Sequence, residues 1–235
     1  MPRPSERAVR IPLLGTDVTL EGVLHSPARS VPGLSDPGAP GPVVLCHPHP
    51  AFGGHMDTPL MLALASDLAA SSHPTLRFNF RGVGGSSGTP TGGVSEHEDV
   101  ELCAQWMSGD SERPPHLVGY SFGAGMALQA VLRGTEAASV CCIALPTEVA
   151  ASFPGFLDRY RDRARNLPPM LFLAGDQDQF CDPGWITAVL DAPRMRLEVL
   201  RGEDHFFDGP GQQRVVDRVV EYLAQVGPYP LPLEF

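Results

Sequence analysis

A serine, a histidine and a carboxylate, each placed just past an apolar run, are the residues of this chain whose types and order can do chemistry together. Gly119-Tyr120-Ser121-Phe122-Gly123 fits G-x-S-x-G. Small residues two positions either side of a serine let a strand turn sharply into a helix and hold the hydroxyl clear of the sheet. The apolar run His116 to Val118 supplies the strand, and Met126, Ala127, Leu128, Ala130, Val131 and Leu132 supply the helix. A helix that starts at the serine aims its N-terminus at the reacting atom, where the Phe122 N–H would stabilise a developing oxyanion. A second match, Gly84-Gly85-Ser86-Ser87-Gly88, follows Arg81-Gly82-Val83 rather than a strand and runs into Thr89-Pro90-Thr91-Gly92-Gly93, which cannot start a helix. Ser86 therefore reads as a loop residue, and Ser121 as the candidate nucleophile.

A hydroxyl becomes a useful nucleophile only when a base takes its proton during attack, so the hypothesis needs a histidine and a carboxylate on neighbouring strand ends. After an apolar strand Met170 to Ala174 comes Gly175-Asp176-Gln177-Asp178, and after a strand Arg196 to Leu200 comes Arg201-Gly202-Glu203-Asp204-His205. His205 is the candidate base. The two aspartates are two apart, and an error of one residue in the strand end swaps their directions. Asp178 is favoured as the acid because the turn after Gly175 carries it back over the sheet edge, which leaves Asp176 to brace the loop. The other oxyanion donor should come from Cys46-His47-Pro48-His49-Pro50-Ala51-Phe52, after the strand Val43 to Cys46. Proline has no N–H, so His49, Ala51 and Phe52 are the candidates, with His49 preferred. Two histidines around a proline also suggest a metal, but the segment lacks the carboxylate or cysteine company such a site needs. Neither a metal nor a cofactor is expected. Arg81, after a strand Thr75 to Phe80, is read as holding the glycine loop rather than binding substrate.

From residue 43 onward the elements alternate: helix 60–70, strand 75–80, helix 96–107, strand 116–118, a helix after Ser121, strands 139–145 and 170–174, helix 184–190, strand 196–200 and helix 212–226. This pattern predicts an α/β domain spanning 1–235, with a doubly wound, mostly parallel sheet preceded by an antiparallel strand at 18–24. Residues 26–42 are rich in Pro and Gly and read as a flexible loop. Residues 146–169 leave room for only a short or minimal cap, in which Phe153, Phe156, Leu157 and Tyr160 form either one apolar lid helix or a connecting helix packed on the core. A net charge of −10 argues against nucleic acid or an anionic membrane as partner. All 17 basic residues are arginines, which excludes a lysine nucleophile or Schiff base. The five cysteines show no C-x-x-C spacing and are expected as reduced thiols in or near the core. No signal peptide or transmembrane run is evident, so a cytoplasmic protein is the expectation.

At these residues the chain resembles the α/β-hydrolase superfamily, and within it a group of small, nearly lidless predicted hydrolases related to dienelactone-hydrolase-like and prolyl-peptidase-like enzymes. HPHPAFGGHMD (47–57), FNFRGVGGSSG (78–88) and GYSFGAGMA (119–127) carry the resemblance, with GDQD and GEDHFF completing the set. The order Ser, Asp, His is the one expected of this superfamily. The resemblance implies Ser121 as nucleophile, Asp178 as acid, His205 as base, and the backbone N–H groups of His49 and Phe122 as the oxyanion hole. The expected activity is a serine esterase or thioesterase that cleaves a small acyl substrate through an acyl-enzyme. Acyl transfer or peptide hydrolysis on the same triad, and a non-catalytic binding or scaffold protein, are the alternatives. The substrate-binding residues are not assigned, and a homodimer is left open.

Overall fold

Strands buried at every position must be covered on both faces, and five such strands decide the layering of this protein. The computed structural model describes residues 4–28, 39–109 and 113–226. Its strands are β1 (Ser5–Pro12), β2 (Thr19–Ser26), β3 (Val43–Cys46), β4 (Thr75–Phe78), β5 (His116–Tyr120), β6 (Ser139–Ile143), β7 (Met170–Gly175) and β8 (Met195–Leu200). Its helices are α1 (Pro59–Ala70), α2 (Glu96–Ser108), α3 (Phe122–Arg133), α4 (Thr147–Ser152), α5 (Phe156–Arg163), α6 (Pro183–Val189) and α7 (Pro210–Val226). Every residue of β3, β4, β5, β6 and β7 is buried. Their side chains divide by alternation: Val44, Cys46, Leu117, Val140, Cys142 and Phe172 pack in the layer of α2, α3 and α5. Val43, Leu45, Val118, Cys141, Ile143 and Leu171 pack in the layer of α1 and α7.

The sheet order is β1-β2-β4-β3-β5-β6-β7-β8. Pairings from β4 through β8 are all parallel, while β2 is antiparallel to β4 and β1 to β2. The expected doubly wound, mostly parallel sheet is therefore observed. Because β3 to β8 run the same way, the loops after β3, β5, β7 and β8 all emerge at one edge, where ligands of such sheets bind.

Several local readings need correction. The sequence did not point to β1: only Val9 and Ile11 of SERAVRIP are buried, so its alternation is too short to stand out. The strand expected at 75–80 ends at Phe78, and that expected at 139–145 ends at Ile143, because Ala144 turns to φ +49° and leaves the ladder. Residues 147–163 form two short helices rather than one, and Phe153 lies between them. Phe153, Phe156 and Tyr160 are buried in the core with α3, while Arg161 and Arg163 face solvent. The loop expected at 26–42 falls mostly on 29–38, outside the described residues. All five cysteines are buried and free of disulfides. Among the described residues no helix is long and apolar enough to cross a membrane.

Candidate active site

The turn from β5 into α3 works only with glycine at its two flanks. A Cβ on Gly119 would lie 2.3 Å from the Gly123 carbonyl oxygen, and one on Gly123 would lie 2.1 Å from that of Cys46. Both neighbours are backbone and cannot move aside. Between them Ser121 adopts φ 55° and ψ −116°, an unfavourable conformation for a residue with a Cβ. It is held there by its own N–H, which donates to the Ile143 carbonyl at 2.8 Å, and by the burial of α3 from Phe122 to Leu132.

The chain ends of β7 and β8 bring the other two candidates to this serine. His205 Nε2 lies 2.9 Å from Ser121 Oγ, and its Nδ1 lies 2.9 and 3.0 Å from the two carboxylate oxygens of Asp178. The Asp178 side chain is fully buried, and its Oδ1 also accepts the N–H groups of Phe180 (2.8 Å) and Cys181 (3.1 Å). Asp176 points elsewhere: it is exposed and accepts the Gly202 N–H at 2.7 Å, the bracing role expected of it.

The sequence reading missed Tyr120, the residue before the serine. Its buried hydroxyl donates to the His205 carbonyl at 2.9 Å, tying the histidine loop to the nucleophile's strand across 85 positions. No local pattern reveals such a bond. Tyr120→Phe removes one hydrogen bond of about 1 kcal/mol. We expect kcat for a short-chain ester to fall roughly three- to tenfold, with KM little changed; unchanged kcat would remove Tyr120 as a positioning residue.

The loop after β3 is organised by its two histidines. His49 Nδ1 accepts the Ala51 N–H at 3.1 Å, and its carbonyl accepts those of Phe52 and Gly54, each at 3.1 Å. Of the three candidate donors, Ala51 and Phe52 are thus engaged within the loop. The His49 and Phe122 N–H groups have no hydrogen-bond partner among the described residues, and the two rings meet edge to face at 4.8 Å. His47, fully buried, uses both ring nitrogens: Nδ1 lies 2.7 Å from the Pro48 carbonyl, to which it donates, and Nε2 accepts the Phe80 N–H at 3.1 Å. Both histidines are therefore committed to shaping this loop.

Burial pulls the His47 pKa down to about 4, and that of His116, the first residue of β5, to about 3. Both stay neutral in the folded protein, whereas an unfolded chain protonates them below about 6.5. The unfolded state therefore binds more protons in this window, and stability falls as pH drops from 6.5 toward 4. The expected loss is of order 3 kcal/mol for each group. Denaturant midpoints between pH 7.5 and 4.5 test this, and a flat profile would contradict it.

The remaining conspicuous residues are framework. Ser86 Oγ donates to the Asn79 carbonyl at 2.7 Å and accepts the Glu21 N–H at 2.8 Å, which pins the glycine loop to β2. Arg81 is clamped on Asp99 of α2 through Nε (2.9 Å) and Nη2 (2.7 Å), so it holds the loop through a buried carboxylate. A cavity of about 270 Å³ lies beside the elbow, lined by His49, Ala51, Pro90, Gly92, Glu96 and Phe122. The Glu96 carboxylate accepts from Thr91 Oγ1 (2.6 Å) and the Gly93 N–H (2.8 Å). Burial opposes its charge, but these donors outweigh it and hold the pKa below the usual carboxylate value. A cavity of about 290 Å³ near Thr135, Arg163 and Arg194 lies at the opposite ends of the strands, remote from Ser121.

Residues 43–232 match the family model described as the alpha/beta hydrolase family. The chain belongs to the alpha/beta hydrolase family. As a member of it, this hydrolase-fold chain is 29% identical over 183 residues to protein RP471 of Rickettsia prowazekii (strain Madrid E), covering 74% of each. Its structure is similar to that of an alpha-beta serine hydrolase homologue from Coxiella burnetii, with 27% identity, a TM-score of 0.71, and 93% and 96% of the two chains covered. It also shares its fold with a Xanthomonas campestris serine hydrolase described as without lid, at 24% identity, a TM-score of 0.77 and 97% of each chain.

Proposed function

We propose that this alpha/beta hydrolase is a serine hydrolase that cleaves carboxylic esters or thioesters through an acyl-enzyme. One observation carries the reading: a single imidazole bridges Ser121 Oγ and the buried Asp178 carboxylate, at 2.9 Å on either side. A module that only binds has no need of a base held against a strained serine. In the first half-reaction Ser121 Oγ attacks the carbonyl carbon while its proton passes to His205 Nε2. Asp178 holds the proton on Nδ1 and stabilises the imidazolium that forms. The carbonyl oxygen gains negative charge facing the His49 and Phe122 N–H groups, whose availability supports their assignment as the oxyanion hole. The bond to the leaving group then breaks, and that group takes the proton from Nε2. Water, deprotonated by His205, repeats the sequence on the acyl-enzyme and releases the acid and free Ser121.

The test is covalent capture. Incubation with a fluorophosphonate should add one phosphonyl group, mapped by peptide mass spectrometry to the segment containing Ser121, and should abolish hydrolysis of p-nitrophenyl acetate. A folded protein that takes up no label and hydrolyses no activated ester would overturn the reading.

A further inference from the structure

Ten phenylalanines are described, and their exposure is uneven. Seven are buried, while Phe52, Phe180 and Phe206 are 90%, 48% and 60% exposed. All three touch a histidine of the site. Phe180 meets the His205 ring edge to face at 4.9 Å, Phe206 meets it at 5.6 Å with the planes at 90°, and Phe52 meets His49 at 5.4 Å. Large apolar side chains left in water beside reactive groups mark a surface that a ligand covers. Phe180 and Phe206 are also held in place by their own backbones: the Phe180 N–H donates to Asp178 Oδ1 at 2.8 Å, and the Phe206 N–H to Asp204 Oδ1 at 2.9 Å. A fixed backbone beneath each ring lowers the entropic cost of presenting it to a ligand.

The chemistry divides the substrate between two sides of Ser121. The leaving group receives its proton from His205 and must therefore lie against that imidazole, the ring that Phe180 and Phe206 both contact. The acyl group stays on Ser121 and has the cavity beside His49 and Phe122, on the oxyanion side. Resting on the hydrolase reading, we infer that Phe180 and Phe206 form the seat of the leaving group. The enzyme therefore selects esters of bulky, aromatic alcohols.

Ethyl acetate and 2-phenylethyl acetate have leaving groups of similar basicity that differ by an aromatic ring, so their kcat/KM ratio reads this seat. The wild-type enzyme should favour the phenylethyl ester by at least about tenfold, mainly through KM, as expected for burying one ring. In Phe180→Ala and Phe206→Ala the ratio should move several-fold toward one. A ratio near one in wild-type protein that labels with fluorophosphonate overturns the seat but leaves the hydrolase reading standing, whereas failure to label removes both. Variants that lose activity on the two esters equally would show that the rings merely support His205, and would also overturn it. So would a wild-type ratio near one accompanied by a dimer in sedimentation that both variants dissociate, because the rings would then seat a second chain.

Discussion

Ser121→Ala should lower kcat for an ester by roughly 10⁶-fold and abolish fluorophosphonate labelling, while the protein folds as before. The loss is expected to be this large because the nucleophile has no substitute: the imidazole would remain, but with no Oγ to deprotonate. The fold should survive because the elbow is held by the Ser121 N–H to Ile143 and by the contacts of Gly119 and Gly123, none of which involves the hydroxyl. Ser86→Ala is the contrasting variant, since the same G-x-S-x-G pattern surrounds it. It should keep labelling and turnover but lose about 2 kcal/mol of stability, because its hydroxyl makes two hydrogen bonds, a buried one to the Asn79 carbonyl and a partly buried one from the Glu21 N–H. Labelling retained in Ser121→Ala and lost in Ser86→Ala would reverse the assignment.

Asp178→Asn should cost roughly 10³ to 10⁴ in kcat with little change in fold, and the geometry supplies the reason. Oδ1 of Asp178 already accepts two backbone N–H groups, from Phe180 and Cys181, while Oδ2 faces His205 Nδ1 at 2.9 Å. An asparagine keeps its carbonyl oxygen toward the two N–H donors, which turns its NH₂ toward the imidazole. Nδ1 must then accept, the proton moves to Nε2, and Nε2 no longer serves as the base for Ser121. Asp176→Asn should leave kcat near the wild-type value, because that side chain serves only the Gly202 N–H, and should cost about 1 kcal/mol of stability at most. Measuring kcat and the unfolding midpoint for both variants separates the roles. If Asp176→Asn is the inactive protein and Asp178→Asn merely the less stable one, the acid has been assigned to the wrong aspartate.

Part of this protein was legible in the chain because its causes are local. Apolar runs such as Val43–Cys46 and Met170–Gly175 announce buried strands, and G-x-S-x-G announces a sharp strand-to-helix turn that needs small residues at its flanks. The order of Ser121, Asp178 and His205, each just past a strand, follows from the parallel sheet, which delivers all such loops to one edge. Reading Asp178 rather than Asp176 toward the histidine rested on the turn after Gly175, and in the structure the Asp178 carboxylate lies 2.9 Å from His205 Nδ1.

What the chain did not disclose depends on groups far apart in sequence. The edge strand β1 has almost no pattern of its own and is defined by pairing with β2. The tie from Tyr120 to His205, and the exposure of Phe180 and Phe206 against that imidazole, exist only once β5, β7 and β8 lie side by side. Sequence by itself determined which residues can do the chemistry, because residue type and backbone sterics are properties of short segments. Only the tertiary structure decided what orients them and what surrounds them, because burial, hydrogen-bond pairing and exposure are set by the packing of distant segments against one another.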